Sequence, residues 1–291
     1  MTTLAPVTVS FERILVPTDF SDASQRALDY AKWIAKECQS HLFLAHVNQM
    51  MNPITPPEAA WIDSESMQEK LEEQMEQAAA GLRSEGFKAD GISTMGRVRD
   101  QLYSIIKESR IDLVVMGTHG RSGWERFLFG SDTESLLRHV HCPVMVVGPA
   151  TRPAGAAVWH PRRVICATSL NPDSAWIAAY AYRLARQHGA AFTVFNVEEV
   201  TGKQTAADRD AFEAAFKESL PEDAGLPESL HTFVTDGKPG EQIADYAKEI
   251  GADLIVMGAL AAADIATHLN RGTAPKVFAG TPCPVLTLRH Q

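Results

Sequence analysis

Long apolar runs are missing from these 291 residues. With no stretch of about 18 consecutive apolar residues, the sequence predicts no membrane-spanning helix. A basic segment ahead of an apolar one is missing too, so MTTLAPVTVSFERILV does not read as a secretory leader. Cysteine is scarce: Cys38, Cys142, Cys166 and Cys283 are the four, and no two form a CxxC pair. Reduced thiols in a cytoplasmic setting are the expectation. Cys142 and Cys283 each precede a proline and a strand-like run, and both read as small core residues. An excess of basic charge is also lacking. The net charge is −9, with 14 basic and 20 acidic residues up to Gly148 and 13 and 16 after it. Both halves are mildly acidic, which argues against a general nucleic-acid binder. What remains is ordinary for a folded globular chain, 45% hydrophobic and 22% charged. The length suits two domains, each with its own core.

The chain is an internal repeat. DLVVMG (112–117) recurs as DLIVMG (253–258), and HCPVMVV (141–147) recurs as PCPVLTL (282–288), both at an offset of 141. Gly96 and Gly237 share that offset. Earlier in each half the offset is 150, relating Ile14 to Val164, Tyr30-Ala31 to Tyr180-Ala181 and Val47 to Val197. The first copy therefore carries nine more residues between Val47 and Gly96, most of them in the Pro-rich stretch MNPITPPE (51–58).

Each half alternates strand and helix. In the first, RILVP predicts a short buried strand, ALDYAKWIAKE a helix and HLFLAHV a second strand. Residues 58–85 predict a long amphipathic helix with Met67, Leu71, Met75, Ala78 and Leu82 on one face and an acidic, solvated face opposite. KADGISTM, IDLVVMG and CPVMVVG complete five strands, with VRDQLYSIIKES and TESLLRHV as the remaining helices. Continuously apolar strands alternating with helices indicate a parallel sheet covered on both faces. The expectation is two tandem, doubly wound, Rossmann-like α/β domains with five-stranded parallel sheets, at 1–148 and 162–291. GPATRPAGAAVWHP joins them; residues 149–161 read as linker.

In such a sheet ligands sit beyond the carboxyl ends of the strands, where the strand order reverses. Pro17-Thr18-Asp19 follows the first strand, the second ends at Val47, and Gly117-Thr118-His119-Gly120-Arg121-Ser122-Gly123 follows the fourth. Gly130-Ser131 then opens the fourth helix. Glycines let backbone N–H groups approach an oxyanion, and a helix start adds free N–H groups and the positive end of its dipole. Asp19 suits a ribose hydroxyl or an adenine amino group. Together these suggest a nucleotide with its phosphates between Gly117 and Ser131. Each feature has a second reading. Ser131 with Glu134 is a capping box, Asp19 before Ser21 can organise a helix start, and His119 can be a polar loop residue.

Gly117, Gly120 and then, after nine residues, Gly130-Ser131 give the spacing G-x2-G-x9-G-[ST]. This resembles the ATP-binding motif of the universal stress protein family. ILVPTDFS, LFLAHV and HCPVMVV are similar to that family's first, second and fifth strands. The resemblance covers nearly the whole chain, which looks like a tandem member. It implies that Asp19 and the backbone at Val47 hold the adenine and ribose end, with Pro17 and Thr18 shaping that wall. It places Met116, Gly117, His119 and Gly120 along the ribose and phosphates. Gly130, Ser131 and the N–H groups of Asp132 and Thr133 then hold the phosphates. The Asp132 carboxylate costs Coulomb energy beside phosphates unless Mg²⁺ or Arg121 offsets it. The resemblance also implies that the two fifth strands pair about a pseudo-two-fold axis, and that two chains can pair again as a homodimer.

In the second copy Pro17-Thr18-Asp19 becomes Ala167-Thr168-Ser169, Gly120 becomes Ala261, and ten residues rather than nine precede Gly272-Thr273. The expectation is ATP in the first domain only, or a different ligand in the second. Catalytic motifs are absent: there is no GxSxG elbow, HExxH or Walker GxxxxGK[ST]. His139-Val140-His141-Cys142 does not read as a metal site, because Gly280-Thr281-Pro282-Cys283 replaces it in the second copy. The leading reading is a non-catalytic, ATP-binding stress-response regulator acting through loop 117–130 or through assembly. Trp124, Phe127, Leu128 and Phe129 in that loop fit either local packing or a partner surface. Two rivals stand: a slow ATPase or autophosphorylating enzyme with Ser131 or Ser122 as acceptor, and a scaffold that binds no nucleotide.

Overall fold

The computed structural model describes residues 8–49, 57–118, 140–155, 159–168, 174–198, 206–220, 232–258 and 273–289. Two compact units divide the chain: Phe11–Val147 with Pro153–Trp159, and Met1–Ser10 with Gly148–Arg152 and His160–Gln291. The first unit runs β1 (Arg13–Pro17), α1 (Asp22–Cys38), β2 (His41–Asn48), α2 (Pro57–Ser84), β3 (Lys88–Met95), α3 (Val98–Glu108), β4 (Leu113–Gly117) and β5 (Val144–Val147). Its strand order is β3-β2-β1-β4-β5, and every pairing is parallel. The second runs β6 (Arg163–Ala167), α4 (Ala175–Gln187), β7 (Ala191–Glu198), α5 (Ala206–Glu218), β8 (Thr232–Asp236), α6 (Pro239–Ile250), β9 (Leu254–Gly258), α7 (Thr273–Gly280) and β10 (Val285–Leu288). Its order is β10-β9-β6-β7-β8, again parallel. Both units are thus five-stranded, doubly wound α/β sheets. The helix expected from TESLLRHV lies outside the described residues except for Val140, which is buried.

The central strands are buried on both faces, which is why they read as unbroken apolar runs. Ile14, Leu15 and Val16 of β1 are fully buried, as are Leu113, Val114 and Val115 of β4. On α1 the apolar stripe Ala23, Ala27, Tyr30, Ala31, Ile34 and Ala35 faces this core. α2 buries Met75, Ala79 and Leu82. It crosses β3 so closely that a Cβ on Gly91 would stand 2.3 Å from the Met75 carbonyl oxygen. The four thiols are free. Burial pushes Cys142 up to about 11 and Cys283 up to about 12, and raises Cys166 further. Cys283 is a core residue, whereas Cys142 is only part-buried.

Each repeat carries one carboxylate clip that the sequence reading did not anticipate. Asp112, just before β4, accepts the Glu12 N–H at 2.7 Å and the Arg13 N–H at 2.9 Å. Its own N–H donates to the Arg13 carbonyl at 3.0 Å. Asp253 does the same for β6, accepting from Arg162 and Arg163 at 2.9 and 3.1 Å and donating to the Arg163 carbonyl. These side chains satisfy amides that open the central strand of each sheet. Desolvation raises the Asp112 pKa above its ordinary value, with the Arg13 and Glu12 amides pulling the other way. A raised carboxylate contributes stability as pH falls through its folded value, so acid unfolding does not begin at Asp112.

The segment that reads as linker is tied down. Thr151 is buried and its Oγ1 accepts the Gly148 N–H at 3.0 Å, while the Arg152 N–H donates to the Pro282 carbonyl at 2.9 Å. In the other unit Gly155 lies against the Trp33 ring, and Trp159 is buried.

The clips predict a graded pair of variants. Asp112 uses both oxygens on separate amides, so Asp112→Asn turns an amide nitrogen on a donor and should cost about 1–3 kcal/mol. Asp253 puts Oδ2 on both amides and Oδ1 on the Arg152 guanidinium at 3.3 Å, so Asp253→Asn keeps the amide pair, loses an exposed ion pair and should cost less. Urea unfolding of the full chain measures both; equal losses would contradict the geometry.

Candidate functional site

The strand order reverses between β1 and β4, with β2 and β3 on one side and β5 on the other. The carboxyl ends of β1 and β4 therefore meet at the switch point. Pro17, Thr18 and Asp19 leave from β1, Met116 and Gly117 end β4, and Val47 lies near the end of β2, paired with Thr94. These are the expected site residues that the structure places. His119, Gly120, Arg121, Gly130, Ser131, Asp132 and Thr133 lie outside the described residues, as do Ser122 and the aromatic positions 124–129.

The turn from β1 to α1 is a closed hydrogen-bond cluster. Asp19 is part-buried, and its Oδ1 accepts from the Ser21 N–H at 3.1 Å and the Ser21 hydroxyl at 2.5 Å. Ser21 is the N-cap of α1, and its Oγ accepts the Ser24 N–H at 3.3 Å. Thr18 Oγ1 donates to Ser24 Oγ at 3.1 Å and accepts the Phe20 N–H at 3.0 Å. Asp19 thus organises the helix start, the second of the roles its position offered. The Thr18 N–H donates to the Ala45 carbonyl at 2.8 Å, and His46 Nδ1 donates to the Thr18 carbonyl at 2.8 Å. Phe20 packs on the His46 ring at 5.0 Å between centroids. The sequence reading missed Phe20, Ser24 and His46. One signal for His46 was available: at the 150 offset the polar Asn196 stands in the same place, between Phe195 and Val197.

Gly117 has a packing reason of its own. A Cβ there would stand 2.5 Å from the Ala23 carbonyl oxygen, so the first turn of α1 rests directly on the end of β4. The Met116 side chain is buried, which leaves only its backbone for a ligand.

The second unit repeats the frame and changes the crevice. The Thr168 N–H donates to the Phe195 carbonyl at 3.1 Å, matching Thr18 and Ala45. Ala167 replaces Pro17, and its side chain is buried. Over Gly258 lies the tip of the Ile177 side chain, where a Cβ would meet Cδ1 at 2.9 Å. Ile177 stands where the first half has Ala27.

The profile of the universal stress protein family matches residues 10–148 and again 160–289. The chain belongs to the universal stress protein family. It is a tandem member, with two such domains in one polypeptide. A universal stress protein of Methanocaldococcus jannaschii is 32% identical over 140 residues, which span 47% of this chain and 82% of that protein. The universal stress protein YxiE of Bacillus subtilis is 30% identical over 147 residues, spanning 47% of this chain and 99% of its own. The crystal structure of a universal stress protein from Archaeoglobus fulgidus superposes with a TM-score of 0.68 at 24% identity, covering 96% of each chain, and shares the fold. No described helix of this universal stress protein is long and apolar enough to cross a membrane.

The two strand-end glycines of this tandem protein should differ in tolerance. Gly117→Ala drives a methyl into a backbone carbonyl and should cost about 1–3 kcal/mol. Among the described residues Gly258→Ala meets the end of a flexible side chain, and it should cost less than about 1 kcal/mol. Chemical unfolding followed by circular dichroism tests this; equal costs would show that α1 does not rest on Gly117.

Proposed function

We propose that this protein is a regulatory, ATP-binding universal stress protein that holds one nucleotide at the switch point of its first domain. The observation that carries the reading is where the G-x2-G-x9-G-[ST] spacing begins. Its first glycine, Gly117, is the last residue of β4, beside the pinned turn that carries Asp19. A spacing with three glycines and a hydroxyl residue suits an oxyanion best when it starts at the carboxyl end of a central strand.

In this reading Asp19 and the Val47 backbone take the adenine and ribose end, against Pro17 and Thr18. The backbone of Met116 and Gly117, with His119 and Gly120, follows the ribose and phosphates. Gly130, Ser131 and the N–H groups of Asp132 and Thr133 take the phosphates, and Mg²⁺ or Arg121 offsets the Asp132 charge. The described end fits such a ligand. A part-buried carboxylate is held at one oxygen by Ser21, on a turn tied to β2. The second domain keeps its scaffold without this site, because Ser169 replaces the carboxylate and Ala261 replaces Gly120. Occupancy of the first domain would then be the signal that partners read.

Denaturing the purified protein and identifying released nucleotide by mass spectrometry tests the reading. The expectation is about one mole of adenine nucleotide per chain, as one intact site requires, lost in a Gly130→Ala, Ser131→Ala double variant. No nucleotide released, and none bound on titration with Mg-ATP, would overturn it. Steady ADP production that vanishes in Gly120→Ala would favour an ATPase instead.

A further inference from the structure

We infer that His46 is a positioning residue of the first-domain site, the post that holds the Asp19 turn in register with the end of β2. The inference rests on the nucleotide reading above and names the side chain that preorganises it. The turn between β1 and α1 is strained. Phe20 has φ 60°, in the left-handed region that a bulky L-residue rarely adopts. Such a conformation persists only where its surroundings hold it.

The inner ties come from within the turn: Thr18 Oγ1 takes the Phe20 N–H, and Asp19 Oδ1 takes the Ser21 N–H. Two outer ties come from β2. Consecutive residues of that strand grip one residue of the turn, Ala45 through its carbonyl to the Thr18 N–H and His46 through Nδ1 to the Thr18 carbonyl. A carbonyl can only accept, so Nδ1 must carry a proton, which fixes the donor side of the imidazole. β1 ends at Pro17, paired with Ala45, so the imidazole supplies the next rung after the backbone ladder has ended. The same ring packs on Phe20 at 5.0 Å, bracing the strained residue. The next residue of β2 is Val47, whose backbone the proposed site uses. His46 therefore lies between the two groups assigned to the adenine end and couples them.

The second half offers a comparison for the His46 side chain. Thr168 N–H to the Phe195 carbonyl repeats the first grip, and Asn196, buried, stands at the position of His46. An Asn amide nitrogen is as many bonds from its Cα as Nδ1 of histidine is, so the shared feature is a donor at that reach. Gln would place its nitrogen one bond too far.

The test measures Mg-ATP affinity and amide hydrogen exchange at Phe20 and Ser21 in the full chain, for the unaltered protein and His46→Ala, His46→Asn and His46→Gln. Losing the preorganised turn should weaken binding roughly tenfold in His46→Ala. It should also speed exchange at both amides. His46→Asn should recover both readouts to within about threefold, and His46→Gln should behave like His46→Ala. Rescue by Asn and not by Gln separates a donor at the right reach from simple filling of space. Unchanged binding in His46→Ala, or His46→Asn as weak as His46→Ala, would overturn the inference. If the unaltered protein binds no ATP, the nucleotide reading fails, and exchange alone then judges the tether. Fast exchange in His46→Ala with protection in His46→Asn supports it, and equal exchange in all four proteins overturns it.

Discussion

Between β1 and β4 the chain must leave the sheet in opposite directions, because β2 and β3 lie on one side and β5 on the other. No crossover can cover that point from both sides, so the carboxyl ends of the two central strands stay open to whatever the loops provide. Everything proposed for the first domain depends on how the chain departs from those two strand ends. At β1 the departure is the pinned Thr18–Ser21 turn. At β4 it is Gly117, which lets the first turn of α1 come down onto the strand. The two are one device, since α1 begins where the turn ends and rests where β4 ends.

The two domains are a controlled comparison within one chain. Their backbone frame is held in common: an aspartate clips the start of the central strand in each, and a threonine amide reaches the neighbouring strand in each. Their crevices differ in chemistry. The first offers the Asp19 carboxylate, whereas the second has Ala167 and, in its sequence, Ser169. Substitution at the crevice with retention of the clips keeps a folded domain while removing polar recognition.

Much of the fold was legible because strands buried on both faces carry their signal in one short window. RILVP and DLVVMG needed no knowledge of their neighbours. The repeat itself was legible for the same reason. The clips were not. The aspartate opening DLVVMG and DLIVMG is printed in both copies, yet its partners are backbone amides about a hundred residues away, and an amide leaves no mark in a sequence. His46 was hidden for the same physical reason, since its partner is a carbonyl. In the stretch 149–161 that reads as linker, the contacts of Thr151 and Arg152 and the burial of Trp159 left no such mark either. At the site, Asp19 was legible as a polar group at a strand end, but only contacts reveal that one of its oxygens is spent on Ser21.

The central claim is that nucleotide recognition belongs to the first domain and not to its copy. Photo-crosslinking the intact protein with an azido-adenine analogue of ATP, followed by peptide mapping, addresses it directly. The account predicts adducts confined to peptides containing the Thr18–Ser21 turn, the end of β2 or the stretch after Gly117, all competed away by ATP. Competable adducts on peptides around Thr168, Asn196 or Gly258 would contradict it.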